Sequence, residues 1–92
     1  MQFAVAQGQQ PLTGQIKDQQ SGETLIGASV IIKGTTIGTT TDINGKFSLS
    51  HNRTYPLTLL VSYIGYQNTE VVVTGADKPL SIKLAQNNVL LK

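Results

Sequence analysis

The sequence predicts an all-β domain, a small β-sandwich of about seven short strands with essentially no helix. Three observations carry that prediction. Apolar residues recur with period two along most of the chain. Clusters of turn-forming residues interrupt them at roughly 8–12-residue intervals. No apolar stripe of the i, i+3, i+4, i+7 kind persists for three helical turns. A chain of 92 residues supports one core, because at that size folding hides only about 60–65% of the surface the unfolded chain exposes.

The strands follow in order from the alternation. "LTGQIKD" (12–18) puts Leu12, Gly14 and Ile16 on one face, and "ASVIIKG" (28–34) turns Ala28, Val30 and Ile32 inward with Ser29 and Lys33 outward. A Thr-rich strand over residues 38–41 is followed by Asn44-Gly45, two residues that tolerate the positive φ of a primed two-residue turn. A β-hairpin joining residues 38–41 to "KFSLS" (46–50), with Phe47 and Leu49 inward, is therefore expected. "PLTLLVSYIG" (56–65) has Leu57, Leu59, Val61 and Tyr63 on one face and Leu60 and Ile64 on the other. "TEVVVTG" (69–75) is β-branched throughout, and both segments read as central strands. "LSIKLA" (80–85) alternates Leu80, Ile82 and Leu84. Between these segments lie the turn clusters 18–22, 34–38, 44–45, 51–56 and 75–79.

Composition narrows the function classes. At 39% apolar and 13% charged residues the chain is too hydrophobic for a disordered tail, and no run approaches the ~18 apolar residues of a membrane helix. Seven basic against five acidic residues leave a net charge of +2. The basic residues Lys17, Lys33, Lys46, Arg53, Lys78, Lys83 and Lys92 are scattered singly, so the sequence carries no nucleic-acid footprint. The absence of cysteine excludes disulfides and thiolate metal sites and leaves the compartment open. Residues 1–10 read as a disordered tail in which Ala4-Val5-Ala6 has two readings: the end of a signal peptide kept behind an added Met, or an ordinary N-terminus.

The run "KGTTIGTTTDINGKFSLS" (33–50) raises the question of a phosphate or metal loop. A phosphate loop needs Gly-Lys-Ser/Thr leading into a helix, and here strand residues follow instead. "DING" (42–45) lacks the further oxygen ligands and distal Glu of a calcium loop. Turn chemistry explains the run, with Asn44 and Gly45 as structural turn residues. His51 stands in a turn with no cysteine and no G-x-S-x-G elbow in the chain. The carboxylates Asp18, Glu23, Asp42, Glu70 and Asp77 fall mostly in turns, where Asp caps backbone amides. No catalytic set, cofactor or metal is expected.

The segments "LTGQIKDQQSGETLIGASVIIKGTTIGTTTDINGKFSLS" and "LLVSYIGYQNTEVVV" together resemble the carboxypeptidase-D regulatory-like domain, in the form that precedes SusC-like TonB-dependent outer-membrane transporters of Bacteroidetes. The resemblance spans roughly residues 12–85 and rests on Gly14, Ile16 and Asp18, on residues 22–30, on residues 33–47 and on "SYIGY" (62–66). It implies a seven-stranded, transthyretin-like (Ig-like) β-sandwich with Greek-key-type connections over residues 11–85, and a linker toward a TonB box over residues 86–92. It further implies a non-enzymatic accessory domain on the periplasmic side of the outer membrane, attached to a transporter of glycan-type nutrients and not itself inserted in the membrane. Its partners would be the remainder of that transporter and a TonB-type periplasmic protein, and the parent gene would continue into a plug and a barrel. A different class stands beside it: the same sandwich as a structural spacing module of a secreted enzyme or cell-surface adhesin. Tyr66, just past Gly65, has two readings, an outward aromatic anchor for a partner or a ring packed with Tyr63 at the sandwich edge.

Overall fold

A computed structural model describes residues 11–87, so the tail expected over residues 1–10 and residues 88–92 of the expected linker lie outside the described residues. The described residues form seven strands: β1 (Leu12–Asp18), β2 (Ser29–Ile32), β3 (Gly38–Thr40), β4 (Lys46–Leu49), β5 (Leu57–Ser62), β6 (Thr69–Val73) and β7 (Leu80–Leu84). They form two sheets, of order β4-β1-β7 and β3-β2-β5-β6, and the described residues contain no helix. The chain changes sheet at β1 to β2, β3 to β4, β4 to β5 and β6 to β7, so sheet neighbours are mostly not sequence neighbours. That is the Greek-key character of a sandwich.

Period-two alternation decides which face each strand buries. β1 buries Leu12, Gly14, Ile16 and Asp18, and β5 buries Leu57, Leu59 and Val61. The three-stranded sheet also contributes Phe47, Leu49, Ile82 and Leu84, and the four-stranded sheet contributes Val30, Ile32 and Val73. Leu25 and Ala28 close one end from the connection between β1 and β2. Gly14 faces Phe47 across the β1/β4 ladder, and a Cβ at position 14 would lie 2.7 Å from the Phe47 ring and 2.8 Å from the Leu80 carbonyl. The aromatic ring covers the bare glycine backbone and fills the space a side chain would take.

Two expectations are corrected. The first is the hairpin, because β3 and β4 belong to different sheets. The turn itself is led by Asp42: its carbonyl accepts from Gly45 N at 2.9 Å, and its Oδ1 accepts from Asn44 N at 2.8 Å and Lys46 N at 2.9 Å. No non-glycine residue in the described chain has a positive φ, so Asn44 does not adopt the left-handed conformation a primed turn requires, while Gly45 does, at φ 72°. The Gly45 carbonyl then accepts from Ile16 N at 2.8 Å, which hands the chain over to β1 and feeds β4 into the opposite sheet. The second correction concerns β6, an edge strand with Glu70 exposed and Val72 69% exposed. Its β-branched run expresses strand propensity without two-sided burial.

Gly45 is needed for its conformation and for its contacts: a Cβ there would sit 2.7 Å from the Thr24 Cβ and 2.9 Å from the Ile16 carbonyl. Gly34 has a similar φ of 84° but open space around it. Gly34→Ala is therefore expected to lose about 1 kcal/mol from backbone conformation alone, and Gly45→Ala clearly more, about 2 kcal/mol or above, because backbone atoms must also move. Lys46→Ala is expected within about 0.5 kcal/mol of the parent chain. Urea denaturation measures all three, and equal losses at positions 34 and 45 would contradict the packing described for Gly45.

Candidate functional site

The alternation of β1 carries one step further than its apolar residues and turns Asp18 toward the interior, where it is 3% exposed. A carboxylate taken out of water needs donors for its lone pairs, and four converge here. Oδ1 accepts from Gln20 N at 2.7 Å and Ser21 N at 3.0 Å, both in the turn that follows β1. Oδ2 accepts from the Tyr66 hydroxyl at 2.5 Å and from Gln86 Nε2 at 2.9 Å. The turn is shaped for this by the bonds Gly22 N to Asp18 O at 2.9 Å and Asp18 N to Glu23 O at 2.8 Å.

Tyr66 is half-buried, its ring centroid 5.5 Å from that of Tyr63, and its hydroxyl is bound to Asp18. Gln86, expected to begin the linker, forms a β-bridge with Tyr66, flanked by Gln67 N to Ala85 O at 2.9 Å and Asn87 N to Gly65 O at 2.8 Å. Residues 85–87 are thus pinned to the 65–67 segment. Asn44 and Gly45 lie in the Asp42 turn, and Asn44 reaches β1 through its carbonyl, which accepts from Gln15 Nε2 at 2.9 Å. The second buried polar group, Thr41, accepts from Ala28 N at 2.8 Å and donates to Leu25 O at 2.6 Å, tying the end of β3 to the β1 to β2 connection.

The electrostatics follow from these bonds. Hydrogen bonds from Tyr66, Ser21 and Gln86 hold the Asp18 carboxyl far below the ordinary aspartate range, and desolvation opposes them without overcoming them. The same bond, with Asp18 as the charged acceptor, raises the Tyr66 phenol, and burial adds to the rise. Asp42 is lowered as well, by the Lys46 and Asn44 amides. A carboxylate that is ionised at all physiological pH values and engaged by four donors is unsuited to exchanging protons with a substrate. His51 accepts from Arg53 N at Nδ1, 3.0 Å, and its Nε2 lies 3.1 Å from the Tyr55 hydroxyl beside the cis Tyr55–Pro56 peptide, so both ring nitrogens serve the loop. Among the described residues no three His, Asp or Glu side chains are grouped to hold a metal ion. The centre is an architectural node, and the sequence signal for it was the inward register of β1 extended to Asp18.

Because the folded pKa of Asp18 lies below its unfolded value of about 4, its contribution is full above that value and is lost as pH falls through the acid range. Wild-type stability is expected to decline steadily below about pH 4, and the decline is expected to be shallower in Asp18→Asn, which starts from a lower stability at neutral pH. Tyr66→Phe removes one donor, should lower the thermal midpoint by several degrees, and should leave the Gln86 bond in place. Thermal melts between pH 2 and pH 7 measure both, and parallel pH profiles for wild type and Asp18→Asn would contradict the assignment.

Comparison with known proteins adds the family. The CarboxypepD_reg-like domain model matches residues 12–92. Relatives include the TonB-dependent receptor SusC of Bacteroides thetaiotaomicron, 44% identical over 79 residues, and the TonB-dependent receptor P26 of Formosa agariphila, 41% identical over 69 residues. These alignments cover 86% and 75% of this chain, but the chain spans only 7% of the length of either relative. Among solved structures, chains from two interface-mutant complexes of the type II cohesin-X-dockerin of Acetivibrio cellulolyticus superpose with TM-scores of 0.71 and 0.72 at 24% identity, covering 89% of this chain and 61% of theirs. That likeness speaks to the sandwich fold alone. With a family match over nearly its whole length and receptor relatives above 40% identity, the chain belongs to the CarboxypepD_reg-like domain family.

Proposed function

We propose that this chain serves as a non-enzymatic accessory domain of a TonB-dependent outer-membrane receptor, standing on the periplasmic side of a transporter for glycan-type nutrients. The observation that carries the reading is its 44% identity, over 86% of its length, to part of a TonB-dependent receptor. The chemistry of the domain is consistent with an interaction or scaffolding role, because its buried carboxylate and its histidine are engaged in holding loops. The remainder of the receptor is its first partner, and a TonB-type periplasmic protein is its second.

The test is made in the parent receptor in its own host. Deleting residues 11–87 is expected to reduce glycan uptake per receptor molecule at the outer membrane, whereas His51→Ala is expected to leave uptake unchanged. Loss of uptake in His51→Ala with normal receptor abundance would point to catalysis, and a deletion without effect on abundance or uptake would sink the accessory role.

A further inference from the structure

The fold gathers lysines that the sequence scatters. On β1 the residues alternating with the buried ones are Thr13, Gln15 and Lys17; on β4 they are Lys46 and Ser48; on β7 they are Ser81 and Lys83. The register places Thr13 beside Ser48, Gln15 between Lys46 and Ser81, and Lys17 beside Lys83. The outer face of the β4-β1-β7 sheet is therefore a polar grid holding three lysines and no carboxylate.

The acidic residues are elsewhere. Asp18 points inward, Glu23 lies in the β1 to β2 connection, Asp77 in the β6 to β7 connection, and Glu70 on the opposite sheet, where it pairs with Lys33 at 3.2 Å. Asp42, in the turn before β4, feels the charge of Lys46, but its Oδ1 is held by two backbone amides. Among the described residues no carboxylate lies within ion-pair distance of Lys17, Lys46 or Lys83. Like charges on directly paired strand positions are unfavourable, and Lys17 and Lys83 are such a pair.

We propose that this face is a docking surface for an acidic polypeptide segment, with Lys17, Lys46 and Lys83 pairing its carboxylates and the Thr13, Ser48 and Ser81 hydroxyls adding hydrogen bonds. The spacing suits a polypeptide. Neighbouring strands are about 4.8 Å apart and alternate residues about 6.7 Å, so the backbone positions of Lys17 and Lys83 are about 5 Å apart and those of Lys46 and Lys83 about 12 Å. An extended chain presents same-side carboxylates at the same ~6.7 Å repeat. A groove of about 500 Å³ opens at the Lys46 end of this face, lined by Thr13, Gln15 and Ser81 together with Phe47, Pro79 and Leu80, and β7 is an edge strand with no strand beside it on its outer side over residues 80–84. A membrane fits less well: three lysines alone give only weak attraction to an anionic surface, and the alternating outward positions of the three strands carry no aromatic or large aliphatic side chain to enter the headgroups. The face is a property of the domain alone, so it stands or falls independently of the receptor reading.

The probe is a ten-residue peptide of alternating Glu and Ser, titrated into the full 92-residue chain at low salt and followed by amide chemical shifts. Shifts are expected to cluster on Thr13, Gln15, Lys17, Lys46, Ser81 and Lys83 and to vanish at about 0.5 M salt, where charges more than a few ångströms apart are screened. Lys17→Glu/Lys83→Glu is expected to weaken binding at least about fivefold more than Lys33→Glu/Lys78→Glu, a variant of identical net charge. Amide spectra verify that both variants remain folded. Equal weakening in the two variants, shifts centred on another face, absence of binding, or association with phosphatidylglycerol vesicles without peptide binding would each overturn the proposal.

Discussion

A carboxylate carried out of water by folding persists only where donors replace its hydration, and the geometry around Asp18 depends on that requirement. The residue is the last inward position of β1, so the strand register fixes its place before any partner arrives. Its two oxygens then collect donors from three parts of the chain: the 20–21 amides, the 66 phenol and the 86 amide. Removing one donor would leave an oxygen of the buried carboxylate short of a partner, and an unmade hydrogen bond is more expensive than the net gain of a made one. The node therefore sets the shape of the β1 turn, the path of the 63–67 segment and the exit of the chain after β7 together.

That convergence explains why the sandwich closes where it does. β1 is the middle strand of its sheet and pairs in parallel with β7, the last strand, through five residue pairs from Gly14 with Leu80 to Asp18 with Leu84. Beyond that ladder the chain continues directly into the bridge between Gln86 and Tyr66. Along β1, Gly14 accommodates the Phe47 ring, and Gly45 admits the Ile16 carbonyl and Thr24 at a distance that no side chain allows. The core is thus bounded by a hydrogen-bonded acid at one end of β1 and by close backbone approaches along it.

Much of the strand pattern could be read from spacing. Leu12, Ile16, Val30, Ile32, Phe47, Leu49, Leu57, Leu59, Val61, Ile82 and Leu84 alternate in sequence and are buried in the structure, because a half-buried strand has only one register that hides its apolar side. The features that spacing could not supply are those set by distant segments. The Thr-rich strand and "KFSLS" look like hairpin partners locally, yet the Gly45 carbonyl is captured by Ile16, 29 residues away, and the chain crosses to the other sheet. β6 is β-branched whether it lies at a centre or an edge. The side-chain partners of Asp18 are 48 and 68 residues distant, and Tyr66, read locally as an outward anchor or an edge-packed ring, is defined by its bond to that carboxylate. The lysines of the three-stranded sheet form a face only after three strands align.

The node is most directly tested by amide hydrogen exchange in Asp18→Asn compared with wild type under native conditions. If Asp18 holds these segments together, the amides of Gln20, Ser21, Gln67 and Asn87 lose protection as a group, while the ladder between β2 and β5 keeps protection set by the remaining global stability. Retained protection at those four amides, or a uniform loss across both sheets with no excess at the node, would contradict the role assigned to this carboxylate.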